Sequence, residues 1–123
     1  MSIRYVYILS ILLIAGCDVN KEPDVLTGNE LVYIDDAAVQ CEKEGMATTE
    51  SAQLLTNKGI DVISSYCGFL TEVAIAAQCG LGDANINLHE VNSNNVPNAQ
   101  EFGFKPVSSL KLESDIGYQI IDC

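Results

Sequence analysis

The chain carries a single histidine, His89, and five cysteines at positions 17, 41, 67, 79 and 123. These residue types supply most nucleophiles, general bases and metal ligands. A Cys–His pair needs a free thiol beside the imidazole, and a serine hydrolase would need His89 as its base. No serine sits in a G-x-S-x-G elbow. His89 and Glu90 fall in the stretch Asn85–Val91, which places Ile86 and Leu88 on one face and Asn87 and His89 on the other. The pattern reads as a half-buried strand with His89 at a polar-facing, structural position. Asp83-x-Asn85-x-Asn87-x-His89 also places polar ligands on alternate residues, as a calcium loop does. An EF-hand needs Gly at the sixth position and a bidentate Glu at the twelfth, where this chain has Leu88 and Asn94. Cys67-Gly68 and Cys79-Gly80 lie 12 residues apart, whereas zinc knuckles space their cysteines by two to four. The expectation is a chain with no catalytic residues, no metal and no cofactor.

Cys17 belongs to a different pattern. Arg4 and the amino terminus precede the largely apolar run Tyr5–Ile14, and Ile14-Ala15-Gly16 follows with small residues before the cysteine. These are the parts of an export signal. A helix crossing a hydrocarbon core needs ~20 apolar residues, so the run is too short to span. Ile14-Ala15-Gly16-Cys17 resembles the lipobox of bacterial lipoproteins processed by signal peptidase II. The resemblance implies recognition through Ile14, Ala15 and Gly16, cleavage after Gly16, and lipidation of the Cys17 thiol. Each buried methylene of an acyl chain contributes ~0.8 kcal/mol to anchoring. Asp18 resembles the signal that retains enterobacterial lipoproteins in the inner membrane, which favours its periplasmic face over the outer membrane.

From Cys17 onward the chain keeps five lysines (21, 43, 58, 105 and 111) against 17 acidic residues, a net charge of −12. Such a surface repels phosphate backbones and attracts cations, so nucleic acid is an unsuitable partner and a basic protein a suitable one. Four cysteines remain after lipidation, and an even count in a small exported chain implies two disulfides.

The elements that would position these residues are mixed. Residues 1–16 form the signal peptide, 17–30 a polar tether, and 31–123 one disulfide-stabilised α+β domain with a small, mainly antiparallel sheet. A first strand is expected over Leu31–Ile34, then a helix capped by Asp35 or Asp36 that carries Ala37, Ala38, Val39 and Cys41 and stops by Gly45. A second helix has Thr48 as N-cap, Glu50 in its first turn, Gly59 at the left-handed C′ position and Ile60 folding back on Leu55. Ile60–Tyr66 and Val73–Gln78 read as a hairpin, although 73–78 could equally be helical. A short helix follows the Asn-rich connection 92–95, with Pro97 in its first turn and Gly103 at its end. Gly117–Asp122 closes the domain as a strand. The hairpin leads to the pairing Cys41–Cys67 and Cys79–Cys123. Ala52-Gln53…Gly59-Ile60 is echoed by Ala99-Gln100…Gly103-Phe104, a likeness that shared helix-stop chemistry explains without a duplication. The reading of function is a membrane-anchored envelope lipoprotein with a non-enzymatic binding or structural role. The alternative is an acidic inhibitor or immunity-type protein that neutralises a basic enzyme or toxin.

Overall fold

β1 (Asn29–Asp35) carries apolar residues on both faces, Leu31 and Tyr33 on one and Val32 and Ile34 on the other. The computed structural model that places it describes residue 23 and residues 25–123, so Ile14–Cys17 and most of the expected tether lie outside the described residues. After β1 come α1 (Thr48–Thr56), β2 (Ser64–Leu70), β3 (Asn85–Asn92), α2 (Val96–Glu101), β4 (Lys105–Pro106) and β5 (Tyr118–Ile121). The five strands form one antiparallel sheet in the order β4-β1-β3-β2-β5. The domain is α+β, as its sequence implies.

This order has internal logic. β1-α1-β2 and β3-α2-β4 are each a strand–helix–strand unit whose two strands run parallel around a strand of the other unit. Two interleaved units of this kind make the ferredoxin-like, split βαβ arrangement, here extended by β5. The sequence echo falls at equivalent places in the two units. The Ile60 N–H donates to the Leu55 carbonyl at 3.1 Å across Gly59, and the Phe104 N–H to the Ala99 carbonyl at 3.2 Å across Gly103. Both glycines adopt positive φ, 78° and 90°, as this helix stop requires. Leu55, Ile60, Ala99 and Phe104 then share one core layer with Val32, Val91 and Val96, between the helices and the sheet.

The opposite face is also covered. Leu31, Ile86, Leu88 and Tyr118 pack there under Val25, Val107, Leu110 and Ile116. β3 is consequently buried without interruption from Ile86 to Val91. Its expected polar outer face is an interior face, and His89 is fully buried.

Several local expectations are corrected. Residues 37–41 form no helix. The Asp35 and Asp36 carboxylates accept from the amides of Ala37 and Ala38 at 2.7 and 3.0 Å, closing Asx turns. Ala37 and Cys41 then take φ values of 60° and 68°, outside the helical region. α1 has Ala47 rather than Thr48 as its N-cap. Residues 73–78 are neither strand nor helix, and β2 pairs instead with β3 across the long connection 71–84.

That last difference changes the bridges. The disulfides are Cys41–Cys79 and Cys67–Cys123, with Cα atoms 5.1 and 5.2 Å apart, not Cys41–Cys67 and Cys79–Cys123. Cys79 lies in a loop beside the loop of Cys41. Cys67 sits in β2 opposite Ile121 of β5, two residues before Cys123.

Candidate functional site

The strand directions give the sheet two distinct ends. The described chain enters β1 at Asn29, and β1 and β2 both run away from that end toward Asp35 and Leu70. The connections 36–47 and 71–84 therefore emerge together at the far end, where Cys41–Cys79 joins them. Gln40 joins them again. Its side-chain amide donates to the carbonyls of Ala76 and Gly82 at 3.0 Å each, and its Oε1 accepts from the Gln78 amide at 3.0 Å. Its backbone adds bonds to Leu81 and Gly80. One side chain thus supplies partners to a loop that lacks secondary structure of its own.

The pair of loops is acidic and partly apolar. Residues 35–47 and 71–84 hold Asp35, Asp36, Glu42, Glu44, Glu72 and Asp83 against the single base Lys43. Val73, Ile75 and Leu81 are exposed large hydrophobics on the same segment. Asp36 is the buried member of the acidic set. Burial pushes its carboxyl above the ordinary carboxylate value, against a hydrogen bond from Ala38 that lowers it. The charge of Asp83, a hydrogen bond with that residue and the charge of Asp35 push in the same upward direction. Gly45 packs so closely that a Cβ there would overlap the Asp36 carboxylate.

His89 sits elsewhere, beneath α1. Its Nε2 lies 2.7 Å from Ser51 Oγ of α1, and its Nδ1 lies 2.7 Å from Ser65 Oγ of β2. The Ser51 hydroxyl donates its one proton to the Thr48 carbonyl at 3.1 Å. With that proton directed at Thr48, Ser51 accepts from an Nε2–H and Ser65 donates to Nδ1; in the other tautomer both roles reverse. Burial lowers the pKa of His89 to about 4, so the ring is neutral at ordinary pH. The Ser65–His89 contact has the outline of a nucleophile and its base. A hydroxyl, Ser51, occupies the place where a carboxylate would stabilise the imidazolium. The network's evident physical work is to join α1, β2 and β3. Glu90 projects to the other face and accepts from Asn29 Nδ2 at 2.7 Å, so His89 and Glu90 form no pair.

Of the residues singled out from sequence, Cys17, Ile14, Ala15 and Gly16 lie outside the described residues. Asp83 supports the turn into β3, its carboxylate accepting from the Asn85 amide at 2.9 Å. Asn92 caps a 3-10 turn by accepting from Asn94 at 2.9 Å. Gln40, Ser51 and Ser65 carried no sequence signal, because their partners lie 24 to 42 residues away. Compared with family models, curated proteins and solved structures, the chain matches none.

Proposed function

We propose that this chain is a lipid-anchored protein of the bacterial cell envelope, on the periplasmic face of the inner membrane, that binds a cationic protein without catalysis. The observation that carries this reading is the far end of the sheet. Six carboxylates against one lysine accompany exposed Val73, Ile75 and Leu81 on two loops held by Cys41–Cys79 and Gln40. Apolar contact area with a charged surround is the usual anatomy of a protein interface. Anchoring rests on the resemblance of residues 14–17 to a lipobox. A tether entering at Asn29 leaves the loops at the end remote from the lipid.

Two measurements test it. Cys17→Ala should abolish acyl labelling and leave the precursor uncleaved; normal processing would overturn the anchoring. Envelope extract passed over the wild-type protein should yield a basic, stoichiometric partner that Ile75→Glu fails to retain. A partner held equally by that variant would place binding elsewhere. If the captured partner is an enzyme or toxin inhibited in the complex, the protein is an inhibitor or immunity protein.

A further inference from the structure

Beside the far-end loops, the helix-side face of the sheet is left open between the first turn of α1 and the Cys67–Cys123 bridge. The opening is a cleft of about 360 Å³. Among the described residues that line it, Asp36 and Asp122 carry the charged side chains, while Met46 and Ile121 supply apolar wall. Asn87 enters from β3 and is 4% exposed. Its Nδ2 donates to the Met46 carbonyl at 2.8 Å, which fixes the orientation of the amide. Its Oδ1 has no hydrogen-bond partner among the described residues, yet it is not sealed from solvent. With the amide oriented by its Nδ2, the solvent-open Oδ1 is an acceptor that a ligand's donor can reach. Thr48 also lines the cleft, and α1 begins there without a side-chain cap. Glu50 and Ser51 donate to the Ala47 carbonyl, which leaves the amides of Thr48 and Thr49 as the donors a ligand can use.

We propose that this cleft takes one lysine or arginine residue from an extended segment of the partner. The cationic head group donates to Asn87 Oδ1 and is balanced by Asp36 and Asp122. The methylene stem lies along Met46 and Ile121, as long basic side chains use apolar surface. The same residue's main-chain carbonyl accepts from the uncapped first turn of α1. An anionic ligand would face two carboxylates, whereas a basic residue answers both the acceptors and the donors. The inference rests on the reading that the partner is cationic and names the chemistry that anchors it.

The test is a nuclear magnetic resonance titration of the full chain in detergent micelles with Nα-acetyl-arginine amide. Nα-acetyl-norleucine amide serves as the uncharged control. The arginine probe should shift the Asn87 side-chain amide and the Thr48 and Thr49 backbone amides saturably, and the norleucine probe should not. Asp122→Asn, at an exposed position, should weaken the arginine probe about tenfold, the scale of one charge-assisted hydrogen bond. Glu101→Gln, exposed on α2 and outside both the loops and the cleft, should leave it unchanged. No saturable shift at Asn87, or an equal response to norleucine, overturns the proposal. A basic partner captured by a protein whose cleft ignores the arginine probe would sink this inference alone. Arginine binding with no cationic protein captured would sink the partner reading and leave the cleft a cation site.

Discussion

His89 commits both ring nitrogens to hydroxyls, and that choice has a measurable pH signature. Its folded pKa of about 4 lies below the ordinary 6.5 because burial disfavours the imidazolium. Above pH 6.5 the ring is neutral whether the chain is folded or unfolded, and the network contributes fully. As pH falls from 6.5 toward 4, the unfolded chain binds a proton that the folded chain refuses, so stability is lost. The gap between 6.5 and about 4 corresponds to roughly 3 kcal/mol. Asp36 acts in the opposite sense. Its raised carboxyl pKa means that the folded state holds its proton longer, so its contribution is present at low pH and fades as pH rises. The histidine effect is therefore cleanest in an Asp36→Asn background. There, urea unfolding at pH 7 and pH 4.5 should show a fall in stability that His89→Gln removes. Parallel profiles for the two variants would mean that His89 titrates normally.

Which elements were legible in the sequence depended on how local their determinants are. The end of α1 is written in Gly59 and Ile60, and that of α2 in Gly103 and Phe104, because a 6→1 closure involves only neighbouring residues. The α+β class followed from the same local signals. Residues 37–41 misled because an Asp that caps a helix and an Asp that closes an Asx turn present the same carboxylate to the same amides. Residues 73–78 misled because VAIAAQ has apolar content without a decisive period, and its loop conformation depends on Gln40, 36 residues earlier. The disulfide pairing inherited that error. For the candidate site, the acidic residues were visible in the sequence, but not their gathering at one end, which follows from strand order. The bridges now predict separable effects. Closing loops of 38 and 56 residues is worth about 4 kcal/mol each in the chain-entropy estimate. Cys41→Ser/Cys79→Ser should accelerate hydrogen exchange at the amides of Gln78 and Gly80, which bond to Gln40, and leave β3 protected. Cys67→Ser/Cys123→Ser should instead loosen β5 at the sheet edge. Global exchange in the first variant would show that the far-end loops are part of the cooperative core.

At the scale of the whole molecule, the sheet holds the proposed recognition loops at the end opposite to the one where the described chain enters β1. A seven-residue strand such as β1 covers about 24 Å, so the loops 36–47 and 71–84 stand roughly that far from the end where the chain enters. A Debye length of ~8 Å at 0.15 M ionic strength screens charge over much shorter distances. A partner approaching the far end would feel chiefly the local excess of Asp35, Asp36, Glu42, Glu44, Glu72 and Asp83 over Lys43, and little of the −12 summed over residues 17–123. Exposed carboxylates act on encounter more than on the docked state, because long-range attraction steers association while short-range packing holds the complex. For a captured basic partner, raising salt from 0.05 to 0.5 M should slow association by at least about tenfold with little change in dissociation. Neutralising Asp35, Glu42 and Glu44 together should reproduce much of that slowing at low salt and flatten the salt dependence. An equal number of neutralisations at Asp61, Glu101 and Glu113, exposed and outside both the two loops and the cleft, should have a smaller effect. Stopped-flow association measured across this salt series decides the matter. An on-rate indifferent to salt in the wild type, or equal slopes for the two triple variants, would show that the acidic loops keep the protein soluble and steer nothing.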